Sequence, residues 1–264
     1  HDKYRAMSKR VNTLYERFTD LVEPFGIDES WIELTGSPLL QQKTSLEIAN
    51  EIRTTVKEEV GLTVSIGVSF NKIFAKLGSD MKKPDAVTVI TRESFKDQIW
   101  PLPVSDLLYV GRATTEKLRL YGIRTIGDLA QADRAMLIHR LGVNGEKLWV
   151  FANGLDQSRV MPCDYEIPIK SVGHGITCTD DLLSKDEVRH VLMELSQEVG
   201  LKLRKNKLAA TRVRISVRDN TLSQREYQGK LTFPTQSYTE IAAAGFELFC
   251  KKHTWNNNIR SLTI

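Results

Sequence analysis

Cysteine is scarce in this chain, with Cys163, Cys178 and Cys250 far apart among 264 residues, odd in number and without a C-x-x-C pair or a nearby histidine cluster. That argues against a zinc site and for a reducing compartment. Long apolar runs are missing too: none approaches the length of a membrane span, and the opening His1-Asp2-Lys3-Tyr4 is charged rather than signal-like. No membrane partner and a cytoplasmic location are therefore expected. The one adjacent acidic pair of interest, Asp28-Glu29, has no cluster of further carboxylates or histidines around it, which is what a metal-dependent nuclease would want. An excess of charge of one sign is also lacking, since 37 Lys+Arg stand against 33 Asp+Glu for a net +4.

With 41% apolar residues in 264, the chain can fill the cores of two or three compact domains. Its charge is unevenly placed. Residues 168–264 hold 15 Lys+Arg and 10 Asp+Glu, so the positive excess sits in the last third. A polyanion-binding end joined to a more neutral scaffold fits that asymmetry.

Apolar residues Tyr4, Met7, Val11, Leu14, Phe18 and Leu21 alternate steps of three and four, the spacing of an amphipathic helix. Two extended runs follow, 22–27 and 31–35, with Asp28-Glu29 at the bend. A helix over 39–60, a strand over 63–69, a helix after Asn71 and a strand over 86–90 complete an α/β pattern ending near Trp100-Pro101. The next segment is helical and punctuated by glycine: Val110-Gly111-Arg112 opens one helix, Thr125-Ile-Gly-Asp128 has the form of a capping box, and Gly142-Val-Asn-Gly145 leads into another helix. Paired glycine turns of this kind resemble helix-hairpin-helix units, whose exposed N–H groups bind phosphate oxygens without reading bases.

Beyond a Pro-containing linker the order is strand (169–178), helix (185–206, capped by Ser184 with Glu187), strand (211–218), strand (223–232), helix (238–252, capped by Ser237 with Glu240) and strand (259–264). This β-α-β-β-α-β order predicts a split βαβ sandwich with one sheet face left free. In Thr211-Arg-Val-Arg-Ile-Ser-Val-Arg218, Val213, Ile215 and Val217 alternate with Arg212, Arg214 and Arg218, so the free face is expected to be cationic, with Lys170 and Arg260 on other strands of the same sheet.

Adjacent carboxylates in a tight turn can both face one cation, and a lysine just before a Pro-containing turn can reach the phosphates that cation holds. Asp28 and Glu29 are the first pair of that kind. Lys83, in Ser65-Ile-Gly-Val-Ser-Phe-Asn71-Lys72-Ile-Phe-Ala-Lys76-Leu-Gly-Ser-Asp80-Met-Lys-Lys83-Pro84-Asp85, is the second element. Lys72 and Lys76 share one helical face by i, i+4 spacing, and Lys82 reads as solvated.

These two segments together resemble the Y-family DNA polymerases, above all their bacterial polymerase IV branch, and the resemblance runs from His1 to Ile264. Ala86 stands where that family usually has glycine. The resemblance implies a multidomain α/β and α+β fold: a partial palm at 1–100, a helical thumb with helix-hairpin-helix turns at 101–160, a linker at 161–168, and a split βαβ little-finger domain at 169–264, which opens on Lys170-Ser171-Val-Gly173. It implies DNA-templated synthesis past damaged bases at low fidelity, by two Mg²⁺ ions held at Asp28 and Glu29, with Lys83 on the triphosphate. DNA contacts are implied at Val110, Gly111, Arg112, Lys170, Ser171, His174, Arg212, Arg214, Arg218 and Arg260. Primer-template DNA and deoxynucleoside triphosphates are the expected partners of a monomer, with a sliding clamp engaged through a segment outside this span. The family's first strand, with a further metal-binding Asp, and its fingers are not found in the sequence, so this stretch alone is expected to bind DNA without extending it. A non-catalytic DNA-binding protein is the alternative reading.

Overall fold

The computed structural model describes residues 2–264, which divide into a first compact unit ending at Glu166 and a second spanning Ile167–Ile264. Among the described residues no helix is long and apolar enough to cross a membrane.

In the first unit, α1 (Asp2–Tyr15) and α2 (Ser45–Val60) bury Leu14, Ile48, Ile52 and Val56 in one small core. The apolar spacing predicts a helix over 39–60, but α2 starts only at Ser45. Residues Pro38–Gln41 make a 3-10 turn instead. The reason is local: Thr44 accepts from the Glu47 N–H and Glu47 answers on the Thr44 N–H, a capping box that starts a new helix and is worth about 1 kcal/mol. Between the two helices, β1 (Val22–Pro24) and β2 (Ser30–Ile32) pair antiparallel as a hairpin.

Strands β3 (Ile66–Val68) and β4 (Val87–Val89) pair in parallel, and α3 (Lys72–Met81), capped by the Asn71 side chain, makes the crossover that parallel pairing requires. Gly67 lets β3 lie directly on α3, since a Cβ there would meet the Ala75 carbonyl oxygen at 1.9 Å. Short helices follow: α4 (Phe95–Ile99), α5 (Arg112–Arg119), α6 (Ile126–Gln131), α7 (Arg134–Leu141) and α8 (Val143–Ala152). Thr125 and Asp128 form the expected capping box at α6. The core of this segment is continuous with α3, through Phe74, Leu77, Ile99, Leu118, Leu129 and Leu148. Phe70, Phe74, Phe95 and Trp100 stack edge and face along it.

The second unit is one four-stranded antiparallel sheet in the order β5-β8-β6-β7, with β5 (Gly175–Leu182), β6 (Ala210–Asp219), β7 (Gln224–Thr235) and β8 (Ile259–Thr263). Helices α9 (Lys185–Lys205) and α10 (Tyr238–Lys252) cover one face, burying Leu192, Ile215, Val217, Phe249 and Leu262. Strand β8 lies between β5 and β6, and β6 lies between β7 and β8, so both β-α-β connections are split as the element order predicts. One strand is displaced from its expectation. The run 169–178 predicts a strand, yet β5 begins at Gly175, with His174 exchanging backbone hydrogen bonds with Ile264 at 2.8 and 2.9 Å as the ladder's last rung. Lys170 and Ser171 therefore lie in irregular chain ahead of the sheet, and of Lys170 and Arg260 the latter alone joins the β6 arginines on a strand.

Candidate active site

The β1–β2 hairpin presents the acidic pair. Its turn is closed by Phe25 and Gly26, whose N–H groups both donate to the Glu29 carbonyl at 2.9 and 3.2 Å, leaving Asp28 exposed and Glu29 half-buried. A staple behind the turn fixes the hairpin to the start of α3. Lys72 Nζ lies 2.7 Å from both carboxylate oxygens of Glu23 and 4.2 Å above the Trp31 ring, while Trp31 Nε1 donates to the Lys72 carbonyl at 3.0 Å. The Met161 N–H donates to Glu23 Oε2 at 2.8 Å, so the same carboxylate also holds the chain leaving α8.

The second lysine of the i, i+4 pair serves the site itself. Lys76 Nζ sits 3.1 Å from Glu29 Oε1 and is also paired with Asp80, whose other oxygen lies 2.7 Å from Lys83 Nζ. A chain of alternating charge thus runs Glu29, Lys76, Asp80, Lys83. Burial works against the Lys76 ammonium, but the bonds from Asp80 and Glu29 outweigh it and raise its pKa. Burial would likewise raise Asp80, yet Lys76 and Lys83 hold its carboxyl below the ordinary range.

Lys83 lies in the connection from α3 to β4. Ala86 is accommodated without strain because the left-handed conformation falls one residue earlier, at Asp85 (φ 53°). The Asp85 carboxylate is bound by Lys57 and Arg53 of α2 at 2.8 and 2.7 Å, which lower its pKa in that order.

Asp28, Glu29, Lys76 and Lys83 all line one cleft of about 750 Å³, together with Ile66, Gly67 and Val68 of β3. Tyr15 and Arg92 also reach it, burial pushing the Tyr15 phenol up to about 12. The structure thus brings the acidic pair and the lysine, 54 positions apart in sequence, to one wall-lined space. Sequence reasoning missed Asp80, Arg92 and the Arg53–Asp85 pair. An Asp three residues before Lys83 was the available signal for the first; nothing local signals the others.

The donor set suits a hard cation: carboxylates only, and two of them, as Mg²⁺ sites usually have when substrate phosphates complete the shell. No group of three or more His, Cys, Asp or Glu placed for a metal occurs among the described residues.

In the second unit, Arg212, Arg214 and Arg218 do share the face away from the helices, where Lys230 of β7 stands directly opposite Arg212. Arg214 is paired with Glu226 at 3.5 Å and Arg218 donates to Gln224 at 2.6 Å, all of them exposed. Lys170, Ser171, His174 and Arg260 are exposed as well. In the first unit, Gly111 is the N-cap of α5, with open space where a Cβ would stand, and Arg112 is almost wholly exposed beside Glu116. The Val110 side chain, by contrast, is in the core and its N–H donates to Leu107. Gly145 serves packing: a Cβ there would meet the Leu137 carbonyl oxygen of α7 at 2.2 Å.

Comparison with known proteins agrees at both ends of the chain. The pattern of the impB/mucB/samB family matches residues 1–80, and that of the impB/mucB/samB family C-terminal domain matches residues 169–264. The DNA polymerase IV of Acetivibrio thermocellus is 48% identical over 264 residues, covering 100% of this chain and 66% of that protein. Those of Bacillus velezensis and Clostridium kluyveri are each 36% identical, covering 97% and 98% of this chain and 61% and 64% of the relatives. The chain therefore spans a little under two thirds of the length of these relatives. A solved Y-family DNA polymerase chimera of Dbh and Dpo4 shares the fold, with a TM-score of 0.82 over 99% of this chain and 75% of that one at 21% identity. Matched by one family at both ends, and similar along its whole length to DNA polymerase IV proteins, the chain belongs to the impB/mucB/samB family.

Proposed function

We propose that this chain carries the nucleotidyl-transfer site and the DNA-backbone surfaces of a translesion DNA polymerase. The observation that carries the reading is the single cleft lined by Asp28, Glu29 and Lys83. Its substrates are primer-template DNA and deoxynucleoside triphosphates, which sets the expected compartment as the cytoplasm. The enzyme acts as a monomer, with a sliding clamp as a further partner.

Asp28 and Glu29 would hold Mg²⁺, two ions in the full site. Bound there, Mg²⁺ offsets the triphosphate's charge and favours the deprotonated primer 3′-hydroxyl. The chain's own groups prepare the place. Glu29 is held by Lys76 and Lys83 by Asp80, so each charged group is already oriented and must only exchange a side-chain partner for a ligand. Lys83 then counters phosphate charge, while Asp80 remains paired with Lys76. Away from the cleft, Arg212, Arg214, Arg218, Lys230 and Arg260, together with Lys170, Ser171 and His174, offer charge and hydrogen bonds to DNA phosphates, and the N–H groups at Gly111 and Arg112 offer the same without reading bases.

Primer extension by the full-length protein tests the reading. Asp28→Ala and Glu29→Ala should each reduce extension by at least about a hundredfold, as expected when a charge-stabilising group is removed, with DNA affinity within about twofold of wild type. Extension at wild-type rates in both variants would remove these carboxylates from the chemistry.

A further inference from the structure

The connection that carries Lys83, residues 82–86, is gripped from outside its own strand-helix-strand unit. Arg53 Nη1 donates to Asp85 Oδ1 at 2.7 Å and to the Asp85 carbonyl at 3.3 Å, and its Nη2 reaches Asn50 Oδ1 at 3.4 Å. Both side chains are substantially buried, at 26% and 20% exposure. Asp85 adopts the left-handed backbone conformation, φ 53°, which a non-glycine residue keeps only when its surroundings hold it there. On the other side, the Ala86 carbonyl accepts from the Ile66 N–H at 2.9 Å, tying the connection to β3. The turn is thus fixed between sheet and helix, and Arg53 supplies the helix side.

Arg53 is not among the residues that line the cleft, whereas Lys83, Pro84 and Asp85 are. Any influence it has on the site passes through Asp85. Lys57 also reaches Asp85 Oδ2 at 2.8 Å but is 57% exposed, so solvent weakens its hold. A guanidinium that binds both the carboxylate and the carbonyl of one residue fixes side chain and backbone together, which a lysine cannot do with the same geometry.

We propose that Arg53, acting through Asp85, is a positioning residue for Lys83: it sets the backbone of the turn and so the point from which the Lys83 ammonium reaches the triphosphate. This rests on the reading of Lys83 as a triphosphate ligand. Without the guanidinium the turn is free to leave the left-handed conformation at Asp85, and Lys83 swings with it.

Single-nucleotide insertion kinetics on the full-length protein, with thermal midpoints alongside, decide the matter for Lys83→Ala, Arg53→Gln, Asp85→Asn, Arg53→Lys and the double variant Arg53→Gln/Asp85→Asn. The expected result is a nucleotide KM raised about tenfold by Arg53→Gln and by Asp85→Asn, the size of one misplaced charge-assisted contact, with kcat within about twofold. The double variant should be no worse than either single one, because both break the same link, and Arg53→Lys should recover part of the loss. An unchanged KM in the single variants, multiplied effects in the double, or a kcat that falls with the thermal midpoint at constant KM would each overturn the positioning role. Lys83→Ala separates the layers. If it raises KM while the Arg53 and Asp85 variants do not, only the positioning role fails; if it leaves KM unchanged, the triphosphate reading fails and the positioning role with it. Should Arg53→Gln not fold, Asp85→Asn, which leaves α2 untouched, carries the test.

Discussion

Replacing Glu23 by Gln should loosen the hairpin that presents the acidic pair. Glu23 places both oxygens 2.7 Å from Lys72 Nζ, and Oε2 also accepts from the Met161 N–H at 2.8 Å. Glutamine has the same shape but only one acceptor. Keeping its oxygen on Met161 turns its NH₂ toward the ammonium, two donors facing each other. Side-chain exposures are 12% for Lys72 and 19% for Glu23, so the orphaned ammonium keeps little water. Removing one partner of a fully buried pair costs about 3–5 kcal/mol, and the residual exposure here reduces that to about 2–3 kcal/mol. For a unit of this size each kcal/mol lowers the midpoint by about 2–4 °C, so thermal unfolding should move down by roughly 5–10 °C. Lys72→Met alone should be similarly costly, since it strands the carboxylate, whereas Glu23→Gln with Lys72→Met removes both charges and should recover most of the loss. A midpoint within about 1 °C of wild type for Glu23→Gln, or additive effects in the double variant, would refute the pairing as the hairpin's anchor.

Gly67→Ala should destabilise the first unit by about 3 kcal/mol or more in a denaturant titration, at or beyond the usual range for overpacking, because the obstructing atoms at 1.9 and 2.5 Å are backbone and cannot rotate away. A loss below about 1 kcal/mol would mean β3 does not lie on α3 as described. On the sheet, Arg214→Gln with Arg218→Gln should flatten the dependence of DNA affinity on salt by about one to two units of log–log slope, each lost phosphate contact contributing roughly 0.9. Fluorescence anisotropy with a labelled primer-template hairpin reads this directly, and an unchanged slope would make these arginines a solvated strand face.

Features set by short-range chemistry were legible in the sequence. Ser184 with Glu187 and Thr125 with Asp128 cap the helices they announce, and the Arg–Val alternation of β6 sorts its two faces correctly. Strand limits were less legible because they depend on a partner. Residues 169–173 have strand-like composition, but the ladder stops where His174 meets Ile264, while the polar Asp180 and Asp181 are carried into β5 by their neighbours' pairing with β8. In the site, the acidic pair and Lys83 stood out from their motifs. The ion pairs that hold them did not, since Glu23–Lys72 and Arg53–Asp85 join residues 49 and 32 positions apart whose identities mean nothing until the chain folds. Lys72 illustrates the point. Its spacing with Lys76 puts the two on one helical face, yet one stabilises the hairpin from behind and the other faces the cleft.

The most direct test of the central claim is the position of metal and triphosphate in a crystal of the full-length protein with primer-template DNA, Mn²⁺ and a non-hydrolysable deoxynucleoside triphosphate, with the ions located by anomalous scattering. Mn²⁺ should lie about 2.0–2.3 Å from carboxylate oxygens of Asp28 and Glu29, and a phosphate oxygen within about 3 Å of Lys83 Nζ, with the Asp80–Lys83 contact opened. Metal bound away from both carboxylates, or a triphosphate that leaves Lys83 on Asp80, would contradict that claim.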